Sequence, residues 1–198
     1  MKPIIYGIKY TINHQIFNSN TPLICGLVVT NRCNLRCRHC RVVNRKSDDL
    51  NFEEISAVIN SFYQQGGRSL YLEGGEPFIW RDGQYTLEDI VDYSHRIGFF
   101  TTIIYTNGTF PLQTSADTIF ISIDGLEKTH DFLRGETFNK IIKNIHESQH
   151  PSLYINYTIN NYNKEEISEF CQYIDGVKKS KAYFFIFIRH IMAMMISI

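Results

Sequence analysis

Residues 23–40 read "LICGLVVTNRCNLRCRHC", a continuous apolar run that breaks at Thr30-Asn31 into a loop carrying Cys33, Cys37 and Cys40. A short apolar run closed by a turn signal predicts a buried strand. A reactive loop delivered at the carboxyl end of a strand is how parallel α/β folds collect their chemistry.

The same unit repeats downstream. Asn51 with Glu54 three residues on has the shape of a capping box, and Ile55, Val58, Ile59, Phe62 and Tyr63 recur at helical spacing until Gly66-Gly67. Then come "SLYLEGG" at 69–75, a helix from about Thr86 to Ile97 closed by Gly98, and "FFTTIIYTNG" at 99–108. "TIFISIDG" at 118–125 precedes a helix carrying Phe138, Ile141, Ile142 and Ile145; "LYINYTIN" at 153–160 precedes a helix from Asn163 to about Ile174; "AYFFIFI" at 182–188 is the sixth strand. The polar stretch 41–50 is expected to be a loop. Strands alternating with helices imply a parallel sheet with right-handed crossovers, either a barrel or an open doubly wound sheet. The cysteines, "EGGEP", "TNGT", "SIDG" and "TINN" all fall at or just past strand ends, so five ends converge on one rim.

Composition narrows the function. The chain has 198 residues, 43% hydrophobic and 20% charged, with zero formal net charge, so one domain is expected and no global basic field exists to gather nucleic acid. Five cysteines, three of them packed together, argue against a secreted disulfide framework and for a reducing, cytoplasmic setting. Residues 1–21 lack a signal-peptide core and form an N-terminal extension.

Three clustered thiols suit few ligands. Zinc wants four, usually as two separated pairs, and no second C-x2-C lies downstream. A closed iron–sulfur cluster takes four thiolates, and the spare cysteines are poorly placed: Cys25 inside a strand, Cys171 on a stripe with Ile167, Phe170 and Ile174. Both are expected to be small core residues.

Taken with Gly74-Gly75-Glu76-Pro77 after the second strand, "TNG" after the third and "SID" on the fourth, the C-x3-C-x2-C loop resembles the radical S-adenosylmethionine (SAM) superfamily over residues 22–188. The resemblance implies an α/β fold, a partial TIM-like (β/α)6 barrel of parallel strands with its last helix missing. It also implies a [4Fe–4S] cluster on Cys33, Cys37 and Cys40, and S-adenosylmethionine on the iron left without a protein ligand. An electron delivered by a reductant such as flavodoxin or ferredoxin would release a 5′-deoxyadenosyl radical, with the protein binding, orienting and excluding quenchers. The family's cofactor contacts carry over to His39 beside adenine, to Gly74, Gly75 and Glu76 at the methionine amino group, to Asn107, Ser122 and Asp124 at the ribose or methionine end, and to Arg134 in "HDFLRG" at the SAM carboxylate. Asn160 faces the nucleoside or is a turn residue.

Glycine lets a backbone approach closely, Glu76 complements an ammonium, and Ser122 and Asp124, two apart, share one strand face. Arg32, Arg36, Arg38, Arg41, Arg45 and Lys46 either offset cluster charge or receive an anionic substrate. The substrate class stays open among small molecule, lipid and peptide; a non-catalytic iron–sulfur or metal-binding remnant is the alternative.

The tail "FFIFIRHIMAMMISI" fits no barrel element. Arg189 and His190 interrupt an apolar run already shorter than the roughly eighteen residues of a membrane span. One inserted T in the codons for "FIFIRHIMAMM" turns it into the polar, turn-forming "FYFHTPYYGYD". Residues 189–198 are therefore expected to be an aberrant tail of a frameshifted or truncated chain.

Overall fold

The computed structural model describes residues 3–40 and 48–177, and the backbone of 182–185. The tail from 186 onward and Arg41, Arg45 and Lys46 lie outside the described residues.

Helix α1 (Pro3–Ile16) is followed by β1 (Ile24–Thr30), α2 (Phe52–Gln64), β2 (Ser69–Gly74) and a 3-10 turn over Pro77–Ile79. A short hairpin, β3 (Arg81–Asp82) with β4 (Tyr85–Thr86), leads into α3 (Leu87–Ile97) and β5 (Thr101–Thr106). After β6 (Thr118–Ser122) come α4 (Glu127–Arg134), α5 (Phe138–Glu147), β7 (Leu153–Asn156), α6 (Ile167–Val177) and β8 (Ala182–Phe185).

Six strands form one parallel sheet in the order β1-β2-β5-β6-β7-β8. Because the order never reverses, successive right-handed crossovers place their helices on one face, and the twisted sheet curls as a partial barrel instead of a doubly wound layer. The helix side holds the core. Cys25, Leu27 and Val29 of β1 and Leu70 and Leu72 of β2 meet Ile55 and Ile59 of α2 and Ile90 and Val91 of α3. Ile119, Ile121 and Ile155 meet Ile141 and Ile145 of α5 and Phe170 and Ile174 of α6.

The continuous apolar run of β1 does not mean burial on both faces. Ile24 and Val28 are 51% and 48% exposed on the concave side. On that side, Tyr105 stacks on Phe120 with centroids 4.8 Å apart and Phe120 on Tyr154 at 5.1 Å, with the edge of Tyr71 against Tyr105.

Local signals act as chemistry dictates. Asn51 Oδ1 accepts from the Glu54 amide and Glu54 Oε2 from the Asn51 amide, both at 2.9 Å, closing the capping box of α2. Asp89 caps Thr86, and Gly98 ends α3 in the left-handed region at φ 108°.

Several elements differ from expectation. Residues 163–166 form a turn, so α6 begins at Ile167. Helix α4 and the β3–β4 hairpin carry no strong period or propensity signal, and α1 lies in the segment expected as an N-terminal extension. Cys171 is partly exposed beside the buried Phe170 and Ile174, not in the core, whereas Cys25 is buried and its thiol pushed up to about 11 by desolvation.

Ile141 is wholly buried in the second core. Ile141→Ala is expected to cost about 2–5 kcal/mol of folding stability, measured by urea unfolding through the fluorescence of the single, buried Trp80.

A cysteine loop held between two polar clamps

The strand ends build the site from below. Beyond β1 the chain runs alongside the exit of β2: the Gly75 amide donates to the Thr30 carbonyl at 2.8 Å and the Glu76 amide to the Arg32 carbonyl at 2.9 Å. A Cβ on Gly74 would stand 2.2 Å from the Thr30 oxygen, and one on Gly75 2.1 Å from the Arg32 oxygen. The glycines are thus required by the protein's own backbone at the base of the cysteine loop.

Glu76 points inward, not toward the rim. Wholly buried, its carboxylate accepts from Thr106 Oγ1 at 2.8 Å, the Asn107 amide at 2.7 Å and the Phe78 amide at 3.2 Å. Those donors use three of its roughly four acceptor directions. Burial pushes its carboxyl upward, and the three hydrogen bonds oppose that. Glu76 thereby links the exits of β2 and β5.

Asn107 grips the loop from one side. Its Nδ2 donates to Asn34 Oδ1 at 2.9 Å and lies 3.7 Å from Cys33 Sγ, while its Oδ1 accepts from the Thr109 amide and hydroxyl. Asn34 Nδ2 donates to Thr109 Oγ1 at 2.8 Å, closing the triangle.

The other side is held by the end of α4. The Arg38 amide donates to the Leu133 carbonyl at 2.9 Å, Arg38 Nε to the Phe132 carbonyl at 2.7 Å, and the Arg38 guanidinium lies over the Phe132 ring. Cys37 Sγ sits 3.9 Å from the Arg134 carbonyl. Arg134 Nε donates to the wholly buried Asp124 at 2.5 Å, whose other oxygen accepts from the Thr158 amide at 2.8 Å. Asp124 and Arg134, both expected at the cofactor, meet each other as a largely buried ion pair. Ser122 ends β6 half-buried.

His39 Nε2 is 3.8 Å from Asp124, beyond hydrogen-bond reach, and its buried Nδ1 has no partner among the described residues. Burial first, then Arg134, holds its ring toward the neutral form. Asn160 serves its own turn: its Oδ1 accepts from the Tyr162 amide and its amide donates to Asn163 Oδ1. Arg32 is engaged by Asp49 at 2.7 Å.

The donor set fits a cluster. Among the described residues no three Cys, His, Asp or Glu side chains converge on one point as a single-ion site requires. A four-iron cluster instead takes each thiolate on a different iron, so its ligands stand farther apart. Cys33, Cys37 and Cys40 are half-buried on one loop and within electrostatic reach of one another. Desolvation raises the thiols of Cys33 and Cys37, so loading would release protons.

Sequence reasoning missed Asn34, Thr109, His130 and Glu166. Glu166 accepts from the Leu126 amide at 3.0 Å and from the Thr129 hydroxyl, capping α4 from a distant segment. His130 is buried, accepting from the Asp124 amide at Nδ1 with Thr137 Oγ1 at Nε2. Asn34 lies inside the cysteine run, Thr109 closes "TNGT" and His130 opens "HDFLRG", whereas Glu166 had no local signal.

Gly75→Ala is expected to cost about 1–3 kcal/mol and to speed hydrogen exchange at the Glu76 amide. Burial lowers His130 to about 4, against about 6.5 unfolded. Its neutral form thus gives a contribution that is complete above the unfolded value and lost as pH falls from there toward 4. His130→Gln should lower stability at neutral pH yet flatten the slope through that window, as read by urea unfolding.

The Radical SAM superfamily model matches residues 27–174. The chain is 26% identical over 172 residues to Fe-coproporphyrin III synthase of Methanosarcina barkeri, covering 79% of this chain and 42% of that protein. It is 28% identical over 169 residues to the sporulation killing factor maturation protein SkfB of Bacillus subtilis, covering 77% and 39%. The chain thus spans about two fifths of these relatives. The structure of Streptococcus suis SuiB bound to S-adenosylmethionine superposes with a TM-score of 0.68 at 18% identity, covering 88% of this chain and 43% of that one, and shares the fold. By the extent of the family match, this chain belongs to the radical SAM superfamily, whose members use a [4Fe–4S] cluster and S-adenosylmethionine.

Proposed function

We propose that Cys33, Cys37 and Cys40 hold a [4Fe–4S] cluster and that the chain is the cofactor-bearing core of an enzyme that cleaves S-adenosylmethionine reductively. The observation that carries this is the double clamp: one loop, three half-buried thiols, Asn107 and Thr109 on one side and the end of α4 on the other. When bound, the cluster would pass an electron to S-adenosylmethionine and release methionine and a 5′-deoxyadenosyl radical for attack on substrate.

The chain's own residues position and shield. Asn107 Nδ2 steadies Cys33 and leaves its sulfur a weak donor contact that favours the thiolate. The Asp124–Arg134 pair fixes the α4 terminus against which Cys37 rests. His39, with a buried Nδ1 in need of a partner, is the side chain best prepared to hydrogen-bond a nucleoside. Gly74, Gly75 and Glu76 act by shaping the loop's base, and Ser122 and Asn160 lie on the same rim. Residues 22–188 would be the core domain. SuiB, which shares the fold, has also been crystallised with its precursor peptide SuiA, and this favours a peptide among the substrate classes. The reductant would be flavodoxin or ferredoxin.

Anaerobic reconstitution tests this. One four-iron cluster per chain is expected, lost in Cys33→Ala, Cys37→Ala or Cys40→Ala and retained in Cys25→Ala and Cys171→Ala. S-adenosylmethionine should alter the electron paramagnetic resonance of the reduced protein and yield 5′-deoxyadenosine. A spectrum unmoved by S-adenosylmethionine would favour the non-catalytic remnant, and cluster loss in Cys25→Ala or Cys171→Ala would overturn the ligand set.

A further inference from the structure

One side of α1 is tied to the body. The Tyr6 hydroxyl donates to the Gly66 carbonyl, its ring meets the Phe100 ring edge-on at 5.5 Å, and the Arg68 guanidinium lies 4.7 Å from the same ring. Gly66 and Phe100 precede β2 and β5, so α1 sits at the amino end of the sheet, opposite the cysteine loop.

The other side of α1 is apolar and bare. Ile4, Ile8, Ile12 and Ile16 recur every fourth position with Ile5 beside them, which on a helix places all five within an arc of about 120° interrupted by Gln15 alone. The four are 79%, 58%, 43% and 69% exposed. Single exposed isoleucines need no explanation, but a contiguous stripe marks a docking face.

Charge identifies what docks. No Asp or Glu occurs before Asp48, although the whole chain is neutral, so Lys9 borders the stripe with no carboxylate in its own segment. Alongside, a cavity of about 230 Å³ is lined by Lys9, Arg68, Tyr6, Tyr10, Asn13 and Gln65, with no carboxylate among its described lining. Arg68 is met there by ring faces and by the Tyr63 and Gly67 carbonyls. A second copy is a poor fit: Lys9 lies near the middle of the helix, so a two-fold antiparallel pairing would bring two lysines together.

We propose that α1 docks on an anionic lipid bilayer, its isoleucine face lying in the interface and Lys9 and the adjoining cationic cavity receiving headgroup phosphates. The cysteine loop then faces away from the bilayer, open to substrate and reductant. The proposal is independent of the cluster chemistry.

Co-sedimentation of the full chain with vesicles tests it, comparing phosphatidylcholine alone with an equimolar mixture of phosphatidylcholine and phosphatidylglycerol. Binding is expected to the anionic vesicles only, to weaken as salt rises, and to fall roughly fivefold in Lys9→Gln, the loss of one cation. The double variant Ile8→Glu, Ile12→Glu should abolish binding with unchanged circular dichroism, since both side chains are exposed. Should that variant lose helical signal, Ile12→Trp decides: its emission, but not that of buried Trp80, should be quenched by brominated lipid in anionic vesicles. Equal or absent binding to the two vesicle types, no quenching, or a dimer that the glutamates dissociate without any vesicle binding would overturn the proposal.

Discussion

A single buried carboxylate ties the rim together. Glu76 has no exposed surface, and an uncompensated charge there would be costly. Its three donors come from β5 and from the turn it begins, so the desolvation of Glu76 is offset only if the exits of β2 and β5 keep their relative position. Asn107, the residue whose amide it holds, reaches across to Asn34 and Cys33. The geometry of the cysteine loop therefore depends on a carboxylate that does not touch it.

The second clamp rests on a different balance. A buried ion pair such as Asp124–Arg134 gives little net stability, because desolvation consumes most of the attraction, but losing one partner strands a charge and costs several kcal/mol. Such a pair specifies position more than it stabilises. Here it fixes the carboxyl end of α4, whose last carbonyls hold Arg38 and border Cys37. His130 belongs to the same arrangement and is neutral, so it adds hydrogen bonds without a third charge.

The sheet, its order and the rim were legible in sequence because strand period, turn residues and the cysteine spacing are local properties. The capping box at Asn51 and the stop at Gly98 were legible for the same reason. The pairings within the rim were not. Glu76, Asp124 and Arg134 each stood out as charges at strand ends, but whether a charge faces a ligand or another residue depends on contacts dozens of residues away. Asp124 meets Arg134 through a helix with weak sequence signal, and α4 itself is capped by Glu166 from beyond β7. The glycines were identified correctly as sites of close approach, yet the approaching group is the chain's own carbonyls. Helix α1 does carry a period, isoleucine at every fourth residue, but it stands outside the strand–helix alternation that marks the sheet.

Sequential winding has one more consequence. With α2, α3, α5 and α6 packed on the convex side, the concave face is covered by side chains from adjacent strands. Strands lie about 4.8 Å apart, close to the stacking distance of aromatic rings, and Tyr105, Phe120 and Tyr154 are register partners in turn. Their rings stack at 4.8 and 5.1 Å because the hydrogen-bond ladder already sets that spacing. The ladder is a half-buried aromatic floor on the concave face, with two phenol hydroxyls among its three rings.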